Sequence, residues 1–310
     1  MTSRLPSWFR KTSPLVAESA SAGYAEVKQS LGGLATVCEQ AKCPNLSECW
    51  SGGTATVMLM GEECTRGCRF CAVKTSRSPS ALNVNEGADL VSSIGQWSAR
   101  SKLRYLVLTS VSRDDLIDQG SSHIAEVVRL VKKSFPDLIV EALVPDFQGI
   151  SDCVDKVAQE VDVFSHNIET VERLQRGVRD RRAGYLQSLK VLERAGSSAS
   201  STTINPPFTK SSLMLGLGER PDEVRTALKD LKSAGVSFLT FGQYLRPTKY
   251  HLPVSEYITP EIFEEWKNEA LTSGFKSVAS GPLVRSSYRA GDFLYDIVKQ
   301  RQVDSSKNIL

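Results

Sequence analysis

A chain of 310 residues, 41% of them hydrophobic, can bury a sizeable core in one domain or two. Its 38 Lys and Arg are dispersed among 35 Asp and Glu for a net charge of +3, a mixed solvated surface that argues against a nucleic-acid partner. No apolar run approaches the roughly 20 residues that cross a bilayer, so no membrane partner is expected.

The opening stretch "MTSRLPSWFRKTSP" lacks the apolar h-region of a secretory signal. Residues 1–17 carry Arg4, Arg10 and Lys11 and no acid, a composition similar to a transit peptide, whereas Pro6, Trp8 and Phe9 suit an arm that packs on a surface. "GYAEVKQSLGGL" reads as a short helix stopped at Gly32 and Gly33. From residue 54 a rhythm begins. Short β-rich runs at 54–60, 104–111, 138–144, 161–166, 212–217 and 236–242 are mostly continuous in apolar residues, as strands of a parallel sheet buried on both faces should be. Between them lie amphipathic helix candidates. "SSHIAEVVRLVKKSF" spans 121–135. "PDEVRTALKDLKSAG" spans 221–235, with Pro221 near its start and Gly235 as its stop. "TPEIFEEWKNEALTSG" spans 259–274, with Thr259 as N-cap and Pro260 at the first helical position. "AGSSASSTT" at 195–203 reads as a flexible loop, and the stretch from Gly291 onward as a short helix fading into a polar tail.

Six strands alternating with helices predict an α/β fold, a partial (β/α)6 TIM-type barrel over 54–280. An N-terminal extension, 1–53, and a C-terminal segment, 281–310, are expected to close its active site. A doubly wound open sheet is the alternative; no G-x-G-x-x-G follows a strand, so a dinucleotide site is unsupported.

Six of the seven cysteines fall between 38 and 71, as two triplets: Cys38, Cys43 and Cys49, then Cys64, Cys68 and Cys71. Clusters of this kind read as metal ligands in a reducing compartment, whether a bacterial cytoplasm or a mitochondrial matrix. Cys153 stands alone, by default a free buried thiol. "CTRGCRFC" follows the first strand, where loops of a barrel build the active site. Three thiolates there can each bind one iron of a 4Fe–4S cluster and leave the fourth iron open for substrate. Gly67 would let the backbone curl round the cluster, and Arg66 and Arg69 would balance its negative charge. The first triplet again supplies three thiolates and suggests a second cluster. A zinc-stabilised interaction module without catalysis is the competing reading.

The C-x3-C-x2-C spacing resembles the signature of radical S-adenosylmethionine (SAM) enzymes. "VCEQAKCPNLSECW", "TATVMLMGEECTRGCRFCAVKT", "VLTSVSRDDL", "HNIETV", "SSLMLGLGE", "GQYLRPTKYHLPV" and "GPLVRSSYRAG" occur in this order, and together they are similar to the lipoyl synthase family over roughly residues 4 to 300. That resemblance implies a radical-generating cluster on Cys64, Cys68 and Cys71. It implies an auxiliary, sacrificial cluster on Cys38, Cys43 and Cys49, completed by the hydroxyl of Ser287 in "RSSY". The activity it implies is insertion of two sulfurs, at C6 and C8 of an octanoyl-lysine, at the expense of two SAM molecules. The implied partners are octanoylated carrier domains, namely E2 subunits of 2-oxoacid dehydrogenases and the glycine-cleavage H protein. An electron donor such as ferredoxin or flavodoxin and an iron–sulfur carrier are implied as well. Another two-cluster radical SAM sulfur-inserting enzyme is the alternative activity.

SAM is bound in such barrels at strand C-terminal ends, which makes Thr109, Ser110, Asn167, Glu169, Arg179 and Glu219 its candidate contacts. His166 reads as a supporting hydrogen bonder or a satisfied core histidine, His123 and His251 as structural. Lys249 or Arg246 would meet an acidic carrier domain, unless they are plain solvated loop charge. The chain departs from the family pattern at Ser112, where an Asp is usual, and in "DQGSSH".

Overall fold

In the computed structural model the described residues are 6, 8, 9, 54–98, 103–197 and 206–307. Cys38, Cys43 and Cys49 lie outside them, as do the short helix expected around residues 23–34 and residues 198–203 of the expected loop.

Seven parallel strands form one sheet in chain order. They are β1 (Thr54–Leu59), β2 (Tyr105–Ser110), β3 (Ile139–Leu143), β4 (Val163–Ser165), β5 (Phe208–Leu215), β6 (Phe238–Gln243) and β7 (Ser277–Gly281). Each pairs with its sequence neighbours, and β1 does not pair with β7, so the sheet curls into an open, partial barrel. The helices between strands are α1 (Glu86–Ser98), α2 (Ser121–Ser134), α3 (Ser151–Ala158), α4 (Gln175–Val178), α5 (Tyr185–Ser197), α6 (Pro221–Ser233) and α7 (Pro260–Thr272). A last helix, α8 (Ala290–Lys307), follows β7.

Alternation along the strands divides the interior. Leu106, Leu108, Val140, Ala142 and Phe164 turn outward and bury the apolar stripe of α2, formed by Ile124, Val127, Val128 and Val131. Tyr105, Ile139, Val163, Phe208 and Phe238 open five consecutive strands and turn inward onto Ala290, Leu294 and Val298 of α8. Helix α8 therefore stoppers the N-terminal end of the barrel. What remains accessible is the C-terminal end, where the loops carry the chemistry-bearing residues.

Two expectations need correcting. The barrel has seven strands where six apolar runs were read. "SVASG" buries only Val278 and Ala279 and lies at the sheet edge against α7, so it never needed a continuous apolar run. The final segment is not a short helix but one of 18 residues, because its Ala290–Leu294–Val298 stripe is needed to close the barrel. Strand β5 also begins earlier than its apolar run, at "FTKSS". Lys210 there is buried, its ammonium 2.9 Å from both carboxylate oxygens of Glu141, and the Tyr105 hydroxyl donates to the same carboxylate at 2.7 Å.

The helix ends follow local chemistry. Pro221 and Pro260 open α6 and α7, where a missing N–H costs nothing. Gly235, at φ +78°, ends α6 while the N–H groups of Gly235 and Val236 bond back to Lys232 and Leu231, a Schellman closure. Near the chain start, Phe9 is buried with its ring edge-on to Tyr257 at 6.2 Å, as an arm that packs on the surface should be.

Candidate active site

Just past β1, Met60 and Gly61, both at positive φ, swing the chain across the C-terminal mouth. A pair of two-residue strands, Glu63–Cys64 and Lys74–Thr75, then brackets the cysteine loop. Three neighbouring segments stitch that loop down. Thr65 N–H donates to Ser112 O after β2 (3.0 Å) and Arg69 N–H to Val178 O at the end of α4 (2.9 Å), while Gly67 N–H meets the Asp180 carboxylate at 3.0 Å. From the loop after β6, His251 Nε2 donates to Cys71 O at 3.0 Å. A carbonyl can only accept, so the proton sits on Nε2 and Nδ1 accepts from the Thr248 hydroxyl at 2.8 Å.

The same arrangement aims main-chain N–H groups at all three sulfurs. Cys64 Sγ accepts from Arg66 and Ser112 at 3.4 Å each, Cys68 Sγ from Asp180 at 3.3 Å, and Cys71 Sγ from Val73. Burial pushes the Cys71 thiol up to about 11 and raises that of Cys68. A bound iron cluster reverses that preference by supplying the missing positive charge. Among the described residues no three His, Cys, Asp or Glu side chains close on a single ion. The donor set fits a cluster that takes one thiolate per iron, with N–H groups supporting the sulfurs.

Arg66 does something other than balance the thiolates. Its guanidinium is buried between Asp114 (2.8 Å) and Asp146 (2.7 Å), which pins the loop to the exits of β2 and β3. Arg69 is exposed and donates to Gly177 O at 3.1 Å. Ser112, the departure from the family pattern, acts through its backbone on Cys64 and Thr65, which tolerates the change of side chain. In "DQGSSH", Asp118 takes the N–H groups of Gly120 and Ser122 and starts α2.

Beside the loop opens a cavity of about 970 Å³. Cys71, Asn167, Glu169 and Ser287 all line it. Met58, Met60, Met214 and Val284 give it apolar walls. Glu169 sits at φ +66°, a strained setting that two backbone bonds to β5 hold in place: its N–H donates to Ser212 O and its carbonyl accepts from Met214. Burial raises its carboxyl, while Arg179 opposes that shift. The Asn167 Oδ1 and Ser110 Oγ atoms are buried without partners among the described residues.

Thr109, Ser110, Arg179 and Glu219 do not line the cavity. Arg179 is buried and bonds Ser188 Oγ at 2.8 Å. The Glu219 carboxylate turns back onto the N–H groups of Gly216 and Leu217. His166 is a satisfied core histidine: Nδ1 donates to Val144 O at 2.8 Å and Nε2 accepts from Ser188 Oγ at 2.9 Å. His123 binds Glu86, which holds the Met60 N–H, so its role is structural. Sequence reasoning missed Gln243, which lines the cavity and ties Leu215, Tyr244, Glu256 and Ile258 together. Its position at the end of an apolar strand was the available signal.

The radical SAM superfamily profile matches residues 58–231. Two solved structures share the fold at low identity. Methylornithine synthase gives a TM-score of 0.54 at 10% identity, over 82% of this chain and 74% of that one. The FeFe-hydrogenase maturase from Carboxydothermus hydrogenoformans gives 0.55 at 13%, over 82% and 65%. The mitochondrial lipoyl synthase of Oryza sativa subsp. indica is 51% identical over 93% of this chain and 74% of its own length. That of Populus trichocarpa is 52% identical over the same shares. The superfamily brings with it a 4Fe–4S cluster and SAM, which suit the three supported thiols and the adjoining cavity. On this identity and coverage, the chain belongs to the lipoyl synthase family of radical SAM enzymes.

Proposed function

We propose that the chain converts a protein-bound octanoyl-lysine to lipoyl-lysine in this cavity, with Cys64, Cys68 and Cys71 holding the radical-generating cluster and Cys38, Cys43, Cys49 and Ser287 holding an auxiliary one. The observation that supports it is the meeting of Cys71 and Ser287, from opposite ends of the barrel sequence, around one cavity that Asn167 and Glu169 also line. When bound, the first cluster with SAM supplies hydrogen abstraction from unactivated C–H bonds, and the second supplies sulfur.

The chain's own residues orient and enclose. Asn167, with its unpartnered Oδ1, and the Glu169 carboxylate face the space beside Cys71 and would take polar groups of SAM. Met58, Met60, Met214 and Val284 offer an apolar wall to an eight-carbon chain. The Ser287 oxygen is a harder ligand than thiolate and easier for iron to leave, which suits a cluster that is consumed. Thr109 and Ser110, at the end of β2, remain proposed SAM contacts; Arg179 would act through its charge on Glu169, and Glu219 through the loop after β5.

The proposed substrates are octanoylated E2 subunits of 2-oxoacid dehydrogenases and the glycine-cleavage H protein. A ferredoxin or flavodoxin would be the reductant, and an iron–sulfur carrier would rebuild the auxiliary cluster. A mitochondrial matrix location is proposed from the relatives named above and the acid-free residues 1–17. By function the proposed units are 1–53, 54–280 and 281–310.

Iron analysis of anaerobically isolated protein tests the ligand assignment. The expected content is about eight irons, two four-iron clusters. A Cys38→Ala/Cys43→Ala/Cys49→Ala variant should keep about four and still cleave SAM. A variant that keeps all its iron, or loses both clusters, contradicts the assignment.

A further inference from the structure

The segment "RPTKYHL", residues 246–252, is a rigid surface loop beside the cavity, and the reaction leaves its outer face unused. Its backbone is tied internally. Arg246 donates to the carbonyls of Lys249 and His251, Tyr250 N–H meets Thr248 Oγ1 at 3.3 Å, and His251 bonds Thr248 on one side and Cys71 O on the other. Leu252 N–H donates to Arg69 O at 3.2 Å. At its tip Tyr250 is 86% exposed, with the Lys249 ammonium 5.2 Å from its ring centre. A large aromatic held this far into water on an ordered loop has no folding reason to be there, and Tyr is a residue type enriched at interface hot spots.

The surroundings give the partner's charge. Arg69, Arg176, Arg181 and Lys249 are exposed and have no carboxylate partner among the described residues. Backbone bonds sew their three segments into one rim, Arg69 to Val178 on one side and to Leu252 on the other. Residues 64–71, 175–182 and 246–252 contain a single acid, Asp180, and it is already bonded to Arg182. A chain of net charge +3 thus concentrates unpaired positive charge beside the mouth.

Resting on the function proposed above, we infer that this rim, centred on Tyr250 and Lys249, docks an acidic face of the folded carrier domain that bears the octanoyl-lysine. The contact lies outside the cavity, so it adds affinity for the whole domain and none for a short octanoyl-lysyl peptide. Charge complementarity of this kind speeds encounter and is weakened by salt.

Steady-state kinetics on holoenzyme, with an iron–sulfur carrier present to rebuild the consumed cluster, tests the inference with two substrates: an octanoylated lipoyl domain and a short octanoyl-lysyl peptide. Tyr250→Ala and Lys249→Glu should each raise KM for the domain by roughly tenfold with kcat held, and leave turnover of the peptide within about twofold. Added salt should raise the domain KM of the parent more steeply than that of Lys249→Glu. An unchanged domain KM in both variants overturns the docking surface, and so does an equal loss on the peptide. If the parent enzyme adds no sulfur to either substrate, the proposed function has failed instead.

Discussion

Gly242, in β6, lies so close under the Val284 carbonyl that a β-carbon at 242 would stand 2.2 Å from that oxygen. The missing side chain lets the segment carrying Ser287 rest directly on β6. Gly242→Ala must push Val284 and its neighbours outward by about 1 Å, a displacement that costs on the order of a hundredfold when it moves a reacting group. The expected outcome is a comparable loss of sulfur insertion with SAM cleavage preserved, read as lipoyl product against 5′-deoxyadenosine formed. Parallel loss of both products would place the effect on folding instead.

A second expectation concerns the barrel interior. Lys210 and Glu141 are buried as a pair, and Lys210→Met strands the carboxylate in a low-dielectric interior at a cost of about 3–5 kcal/mol. Adding Glu141→Gln removes the charge yet keeps an acceptor for the Tyr105 hydroxyl, and should restore at least half of the loss. Chemical denaturation of the two variants and the parent checks this; a double variant no better than the single would refute it.

The third expectation is a pH dependence. Burial, with Arg179 nearby, lowers His166 from 6.5 to about 4. In the unfolded chain it takes a proton near 6.5, in the folded one only near 4, so the unfolded state binds more protons between those values. Its neutral form therefore stabilises the fold fully above pH 6.5, and that contribution falls as pH drops toward 4, by at most about 3 kcal/mol. His166→Gln keeps a donor for Val144 and an acceptor for Ser188, and should flatten stability between pH 6.5 and 4. An unaltered slope in denaturation curves across that window would contradict the assignment.

The fold was legible where one physical demand dominated. Strands buried on both faces must be continuously apolar, and the six runs that met this condition all became strands. Strand β7 escaped because an edge strand under one helix needs only Val278 and Ala279. Helix α8 looked like a fading tail because its buried apolar side chains, Ala290, Leu294 and Val298, face the barrel floor, a partner invisible along the chain. At the site, the thiols and the strand-end position of Asn167 and Glu169 were readable from spacing alone. Side-chain direction was not. Arg66 stands between Cys64 and Cys68 and yet turns to Asp114 and Asp146, and Glu219 turns back on its own loop, because each had nearby groups needing a partner that only the folded chain supplies. Ser287 was proposed from family resemblance, since a lone "RSSY" reads more readily as a polar helix-start segment.

The central claim is that sulfur comes from a second cluster held beside the cavity that Cys71 and Ser287 share. The direct measurement is the mass of an octanoyl-lysyl peptide after a single turnover by protein reconstituted anaerobically with heavy-isotope sulfide. The account predicts a product that has exchanged two hydrogens for two sulfurs, both heavy. A product with light sulfur, or no sulfur gained by protein that still cleaves SAM, would contradict it.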